Sequence, residues 1–144
     1  MLRRLKSLGM QLRELRNIFI MFILPKLTYA SPAWSSSLSL TQQRQLERVQ
    51  KRACRIIMGD RYTTYETALI TLDLTSLTDS HTKLLKQFGE RLISHPRHRH
   101  FLPDNNPKPR HAMRHYNRLK PIRATTERYK KSAIPAIVNI INNP

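Results

Sequence analysis

The stretch that decides the fold reads LERVQKRACRIIMG, at residues 46–59. Its apolar residues recur with a period of about 3.6 residues, which is typical of an amphipathic helix, and most of the remaining positions are basic. Thr41 upstream is a good N-cap residue, and Gly59 is a good residue to follow the last helical turn. The pattern therefore predicts a helix of about five turns over residues 41–58.

At about 100° per residue, this predicted helix has two different sides. The apolar side is formed by Leu46, Val49, Ala53, Ile56 and Ile57. The basic side, which we call the basic ridge, is formed by Arg44, Arg48, Lys51, Arg52 and Arg55. The ridge spans roughly 16 Å of helix axis, enough to meet several phosphates of a duplex. A solvated helix face is the alternative interpretation, with Glu47 placed as an i,i+4 partner for Lys51.

Further helices are predicted upstream of this one. A periodic pattern over residues 2–25 predicts a helix that is interrupted at Gly9 and ends near Pro25, because proline has no N–H to donate. Residues 27–34 either continue this helix past a kink or form an extended link. The sequence does not decide between these two.

Downstream, a short helix is predicted over residues 65–70. Ser76, with Asp79 three residues later, resembles a capping box and opens a third main helix that reaches about Ser94, where His95 and Pro96 stop it. The predicted fold class is therefore all-α: a small bundle of three main helices.

The composition indicates a polyanionic partner and two regions. The 144 residues suffice for one small module, and 26 Lys and Arg against 9 Asp and Glu give a net charge of +17. Residues 95–144 hold 11 basic and two acidic residues together with seven of the nine prolines. We therefore predict a helical region over 1–94 and a basic, proline-rich tail over 95–144, largely disordered, with a short helix at its C-terminal end.

The tail supplies a second set of candidate nucleic-acid contacts. The tail residues that we expect to contact nucleic acid are Arg110, Arg114, Arg128, Lys130 and Lys131. Rings at Phe101, Tyr116 and Tyr129 lie between the cations, a composition that suits single-stranded or structured nucleic acid. The alternative is a basic tail that is merely soluble.

Several other kinds of site are disfavoured by the sequence. The single cysteine, Cys54, excludes an internal disulfide framework and a multi-cysteine zinc site, and it fits an intracellular, reducing compartment. The apolar run at 18–24 is too short to cross a bilayer. The histidines near residues 95–100 lack the ligand set of a structural zinc site. We therefore expect no metal, no cofactor and no membrane partner.

Catalysis is not expected either. The sequence lacks the Gly-x-Ser-x-Gly, Gly-rich phosphate-loop and His-Glu-x-x-His motifs, and it has no adjacent pair of aspartates for two-metal chemistry. Glu66, Asp73 and Asp79 are explained as helix N-terminal charges, caps and turn residues. We predict that the chain is not an enzyme on its own and has no small-molecule substrate.

Two long strings, ILPKLTYASPAW at 23–34 and the ridge stretch at 46–59, carry a family resemblance. They resemble the C-terminal part of reverse transcriptases from non-LTR (LINE-type, jockey-like) retrotransposons. Three shorter strings continue the resemblance in the same order, at 65–77, 95–97 and 128–135.

The resemblance implies a helical thumb that grips template and primer, followed by a basic C-terminal extension, with the ridge on the duplex backbone. The palm with its Tyr-x-Asp-Asp carboxylates and the endonuclease are absent from the sequence, so we expect a truncated, inactive C-terminal fragment. Apolar faces that once packed on a palm predict partial exposure of Phe19, Phe22, Trp34 and Phe88. The alternatives are an independent basic RNA- or DNA-binding protein, and a mitochondrial or structural protein unrelated to nucleic acid.

Overall fold

The computed structural model describes residues 1–105 and 119–143, and these are mostly helical. The helices are, in chain order, α1 (Leu2–Ser7), α2 (Leu12–Ile18), α3 (Leu24–Thr28), α4 (Ser31–Trp34), α5 (Leu40–Met58), α6 (Tyr65–Thr71), α7 (Leu77–Ser94), α8 (Glu127–Lys130) and α9 (Ala133–Asn142). Within the described residues there is no β-strand, only an isolated bridge between Asn105 and Leu119. The predicted all-α class is confirmed.

The chain forms two compact units. The first consists of Met1–Tyr29 and Leu38–His81, and the second of Ala30–Ser37 and Thr82–Pro144. The division at residue 95, which rests on composition, stays a prediction.

The first predicted helix is divided at Gly9 and continues past Pro25. Gly9, with φ of +88°, separates α1 from α2 as predicted, because this left-handed conformation favours glycine. Pro25, however, does not end the helical run. A π-helical turn at Phe19–Ile23 follows α2, and Pro25 lies in the first turn of α3, where no intrahelical N–H is needed. The run ends instead at Thr28.

Residues 27–34 form neither of the two structures considered from the sequence, a kinked continuation of the helix or an extended link. The chain leaves α3 through an extended Tyr29 and a left-handed Ala30, with φ of +48°, before α4 begins at Ser31. This break is neither a kink in a continuous helix nor an extended link.

The long helix α5 begins earlier than predicted. Ser39, and not Thr41, is its N-cap: the Ser39 hydroxyl accepts from the Gln42 backbone N–H at 3.3 Å, and the Gln42 side chain accepts from the Ser39 N–H at 2.9 Å. The end at Gly59, with φ of +59°, is as predicted.

The next two helices match the sequence patterns. α6 covers the predicted 65–70 segment. Ser76 and Asp79 form the predicted cap of α7, with the Asp79 N–H donating to the Ser76 hydroxyl at 3.1 Å.

The first unit has one apolar core. Its buried members are Leu2, Leu15, Phe19, Ala53, Cys54, Ile57, Met58, Ala68 and Leu72. The buried side of α5 is rotated from the predicted one, because Val49 is 45% exposed while Gln50 is fully buried. The Gln50 Nε2 donates to the Thr75 carbonyl at 2.7 Å, which satisfies one end of the buried amide, whereas Oε1 has no hydrogen-bond partner among the described residues.

Of the four aromatic residues expected to be partly exposed, Phe22 and Phe88 are exposed and Trp34 is half-buried. Phe19 is fully buried, so that expectation is wrong. It lies at the start of the π-helical turn and joins the core of the first unit instead of facing solvent.

The second unit has a separate core. Its buried members are Leu85, Leu92, Leu102, Leu119, Ile137 and Val138. Asn142 holds the Leu119 backbone in place, because its amide group both accepts from the Leu119 N–H and donates to the Leu119 carbonyl, each at 3.0 Å. α9 is the predicted C-terminal helix. The prediction of a largely disordered tail over 95–144 did not include the burial of Leu102 and Leu119 in this core.

Candidate nucleic-acid interface

The basic ridge lies on the outer face of α5. Arg44, Arg48, Arg52 and Arg55 are exposed and Lys51 is half-buried. All of the ridge except Arg44 lines one open depression of about 920 Å³ in the surface of the first unit. The structure thus brings four of the five predicted cations together, with Arg44 one helical turn further toward the N-terminus.

α1 adds cations to the same depression. Arg3, Lys6 and Ser7 line it from the side opposite α5. Sequence reasoning missed Arg3 and Lys6, although their i,i+3 spacing places both on one face of a helix. We call this depression, with its cations Arg3, Lys6, Arg48, Lys51, Arg52 and Arg55, the basic groove.

Lys6 joins the two walls of the basic groove. Its Nζ donates to the Ile56 carbonyl at 2.7 Å and to the Ile57 carbonyl at 3.4 Å, at the C-terminal end of α5. A cation is favoured there because the last carbonyls of a helix carry partial negative charge. Lys6 therefore positions α1 against α5 and keeps its charge in the groove.

Two tyrosine rings contact cations of the basic groove. Lys51 Nζ lies 4.7 Å from the ring centre of Tyr65, and Arg55 Cζ lies 5.3 Å from that of Tyr62. Such cation–π contacts restrict a side chain without neutralising its charge. Sequence reasoning missed both tyrosines, because the residues lie after the end of α5 and their contacts depend on the tertiary fold.

Glu47 is occupied elsewhere and does not pair with Lys51. Its Oε1 accepts from the Tyr65 hydroxyl and from the Leu77 backbone N–H, the latter at 3.3 Å. Burial, and next the hydrogen bond to Glu47, raise the pKa of Tyr65 well above its ordinary value, so the hydroxyl stays a donor.

The cations of the basic groove have no carboxylate partner within the described residues. The ion pairs there are Arg16 with Asp73, at 3.1 Å, and Lys130 with Glu127, at 2.6 Å. Neither pair includes a groove cation. The Glu47–Lys51 pair considered from the sequence is therefore not formed in this part of the chain, and the alternative of a solvated helix face stays a prediction.

The tail candidates divide into two groups. Arg110 and Arg114 lie outside the described residues. Arg128, Lys130 and Lys131 belong to the second unit and are exposed at α8 and its C-cap. The hydrogen bond and charge of Lys130 lower the pKa of Glu127, so this lysine already has an acidic neighbour.

Residues 1–105 and 119–143 contain neither a candidate metal cluster nor a candidate membrane span. No group of three or more His, Cys, Asp or Glu side chains there could hold a metal ion, and no helix there is both long and apolar enough to span a membrane. Cys54 is fully buried, which raises the pKa of its thiol to about 11. No protein-family profile, curated protein or solved structure matches this chain.

Proposed function

We propose that this chain binds the sugar-phosphate backbone of a nucleic-acid duplex through the basic groove. We propose further that it is the thumb-like and non-catalytic region of a non-LTR retrotransposon reverse transcriptase. The observation that carries the proposal is the convergence of six cations, from α1 and α5, on one surface depression in which they meet no described carboxylate. Charges that are not neutralised within the fold remain available to an external polyanion.

The geometry of the groove suits a row of phosphates better than a single anion. Arg48 and Arg55 are two helical turns apart on one face, which corresponds to roughly 10 Å along the axis. Phosphates follow one another at about 3.4 Å of axis along each strand of a duplex, so a row of this length passes several of them, and each guanidinium can donate two parallel hydrogen bonds to one phosphate. A small anion would occupy only one part of such an extended row.

The tyrosine contacts favour the same function. An exposed lysine or arginine loses side-chain freedom when it binds a phosphate, and this entropy loss opposes binding. Lys51 and Arg55 already lie against the Tyr65 and Tyr62 rings, so part of that loss is incurred on folding. Their charges are thereby held at the groove before any ligand arrives.

The family resemblance agrees with this location. Both long strings, 23–34 and 46–59, include residues of the first unit, and the second string contains the cations from Arg48 to Arg55. A thumb contacts the duplex backbone and contributes no carboxylate to the chemistry. We accordingly assign these residues a binding role and no catalytic one.

The decisive experiment measures duplex affinity against salt concentration. Arg48→Gln, Lys51→Gln and Arg55→Gln are combined in one variant, and fluorescence anisotropy with a short labelled duplex is recorded between about 50 and 200 mM salt. We expect a loss of about tenfold to a hundredfold in affinity, and a reduction of the log–log salt slope by about 2 to 3, because each phosphate contact contributes about 0.9.

The matched control removes the same charge from a different helix. Lys83→Gln, Lys86→Gln and Arg91→Gln on α7 also remove three cations. We expect this variant to keep its affinity within about threefold at the higher salt, where distant charges are screened. Equal losses in the two variants would show that only net charge matters and would overturn the proposal.

A second variant separates charge from packing. Arg48 and Arg52 are exposed and make no hydrogen bond or ion pair within the described residues. Arg48→Gln with Arg52→Gln should therefore leave the unfolding midpoint unchanged and still weaken duplex binding about tenfold. An unchanged affinity in this variant would also contradict the assignment.

A further inference from the structure

A cluster of exposed rings lies in the second unit, in the segment HPRHRHF at residues 95–101. The ring centres of His95 and His98 are 4.7 Å apart with an interplanar angle of 29°, and those of His98 and Phe101 are 6.2 Å apart at 22°. His100 adds a fourth ring, 4.1 Å from that of Phe101. We call these four side chains the ring stack.

The ring stack is held by the backbone and by one arginine. The His98 N–H donates to the His95 carbonyl at 3.0 Å, and the Phe101 N–H donates to the His98 carbonyl at 3.1 Å. The Arg99 guanidinium closes the segment by donating to the Leu102 and Pro103 carbonyls and to the Asn105 side chain, at 2.9 to 3.0 Å.

The next residue anchors the ring stack to the core. Leu102 is buried among the apolar side chains of the second unit, while Phe101 is 55% exposed and the three histidines are exposed. A turn whose backbone is fixed on one side and whose rings face solvent on the other is preorganised to receive a flat ligand.

The charge around the ring stack is positive. Arg97 lies within the segment, is exposed and has no ion-pair partner in the described part of the chain, and residues 95–101 contain no acidic residue. A ligand that combines flat faces with negative charge is therefore complementary. The three histidines do not form a metal site, since no cluster of metal-binding side chains occurs among the described residues.

We propose that the ring stack binds unpaired nucleobases of single-stranded nucleic acid, with Arg97 on a neighbouring phosphate. Bases within a duplex are covered on both faces by their neighbours, so only an unpaired base can stack on a protein ring. Every base has such a face, and stacking therefore requires no particular sequence. This site lies in a different unit from the basic groove and takes a different form of nucleic acid, so it goes beyond the proposed duplex binding.

The test compares two single strands of equal length and charge. One is oligodeoxythymidylate, and the other is the same backbone without bases. The whole protein should bind the base-containing strand about tenfold or more tightly than the abasic strand, as expected for one or more stacked bases. Equal affinities would overturn the proposal, because they would show that the protein contacts only the phosphates of the strand. The rings would then serve another ligand, such as a protein partner.

Matched variants locate the effect. Phe101→Leu keeps apolar bulk and removes the ring, and it should lower the preference for the base-containing strand about tenfold. Phe88→Leu is the control, because Phe88 is in the same unit and is 42% exposed, and it should leave the preference unchanged. Equal behaviour of the two variants would contradict the assignment.

A third variant guards against a purely structural effect of losing Phe101. Phe101→Trp restores an aromatic face and should recover the preference, whereas failure of tryptophan to improve on leucine would overturn the stacking mechanism. The variant with glutamine at Arg48, Lys51 and Arg55 should keep the preference for bases while losing duplex affinity. The two proposals can therefore fail separately.

Discussion

The two units build their cores in different ways. In the first unit, the buried side chains come from α1, α2, α5 and α6 and from Phe19 and Leu72, which directly follow α2 and α6, so the core follows the repeat of the helices. In the second unit, α7 and α9 pack with Leu102 and Leu119, which lie in irregular chain. A core made of helix faces is stabilised by the apolar surface area that it buries. A core that includes isolated residues from irregular chain also needs hydrogen bonds to hold those residues in place.

The basic groove and the ring stack also differ in whether they are built on regular helices or on irregular chain. The basic groove has its cations on regular helices, which fix a repeating distance that suits repeated phosphates. The ring stack lies on a turn, which presents a few rings in one place and suits a single flat group. The two proposals therefore assign two unlike surfaces of one small chain to the same class of polymer.

The largest expected effect tests the core of the first unit. Phe19→Ala removes a fully buried ring and should lower the free energy of unfolding by about 3–5 kcal/mol. Phe22→Ala, three residues away and 58% exposed, should change it by less than about 1 kcal/mol. Urea denaturation followed by circular dichroism measures both. Similar losses in the two variants would mean that the core boundary is elsewhere.

The next effect tests the hydrogen bonds of the second unit. Asn142→Ala leaves the buried Leu119 N–H and carbonyl without their partner and should cost about 1–3 kcal/mol. Asn143→Ala is the control, because Asn143 is exposed and only bonds back to Asn139 within its own helix end. If both variants unfold at the same urea concentration, the second unit does not depend on this contact.

Periodicity explains which parts of the fold the sequence could predict. The end of α5 at Gly59 and the cap of α7 at Ser76 are local signals, and both are confirmed. The burial of Gln50 in place of Val49 was missed, because it depends on a carbonyl 25 residues away, at Thr75. Leu102 and Leu119 were missed for a similar reason, since neither belongs to a periodic run.

The basic groove, too, could be predicted only in part from the spacing of residues in the sequence. The ridge could be predicted from spacing within one helix, and the structure places Arg48, Lys51, Arg52 and Arg55 together. The contribution of α1 could not be predicted, because nothing in the spacing of one helix indicates which other helix packs beside it. Sequence patterns thus identify faces, and only the tertiary fold shows which faces meet.

A smaller effect concerns alkaline pH in the first unit. Burial raises the pKa of Cys54 from 9.0 to about 11, so the unfolded chain releases this proton at lower pH than the folded chain does. The stability should be unaffected by this group below pH 9 and should fall as the pH rises above it, by about 1 kcal/mol at pH 10. Tyr65, whose pKa is also raised, adds to the fall in the same direction.

Urea midpoints at about pH 7.5, 9 and 10 measure this dependence. Cys54→Ala is the control, and it should have a shallower decline because the thiol no longer titrates. An identical pH dependence in both proteins would contradict the buried, neutral state of the thiol.

The smallest expected effect separates surface charge from buried contacts. Asp73 has φ of +47° in the turn before α7, and its carboxylate, which is 96% exposed, pairs with Arg16. Asp73→Asn should change the free energy of unfolding by less than about 0.5 kcal/mol, because asparagine also tolerates this conformation and exposed pairs contribute little. Arg16 would still donate to the Leu72 carbonyl. Asp60→Asn, on an exposed residue, removes the same charge as a control, so a clearly greater loss at Asp73 would show that the ion pair itself stabilises the first unit.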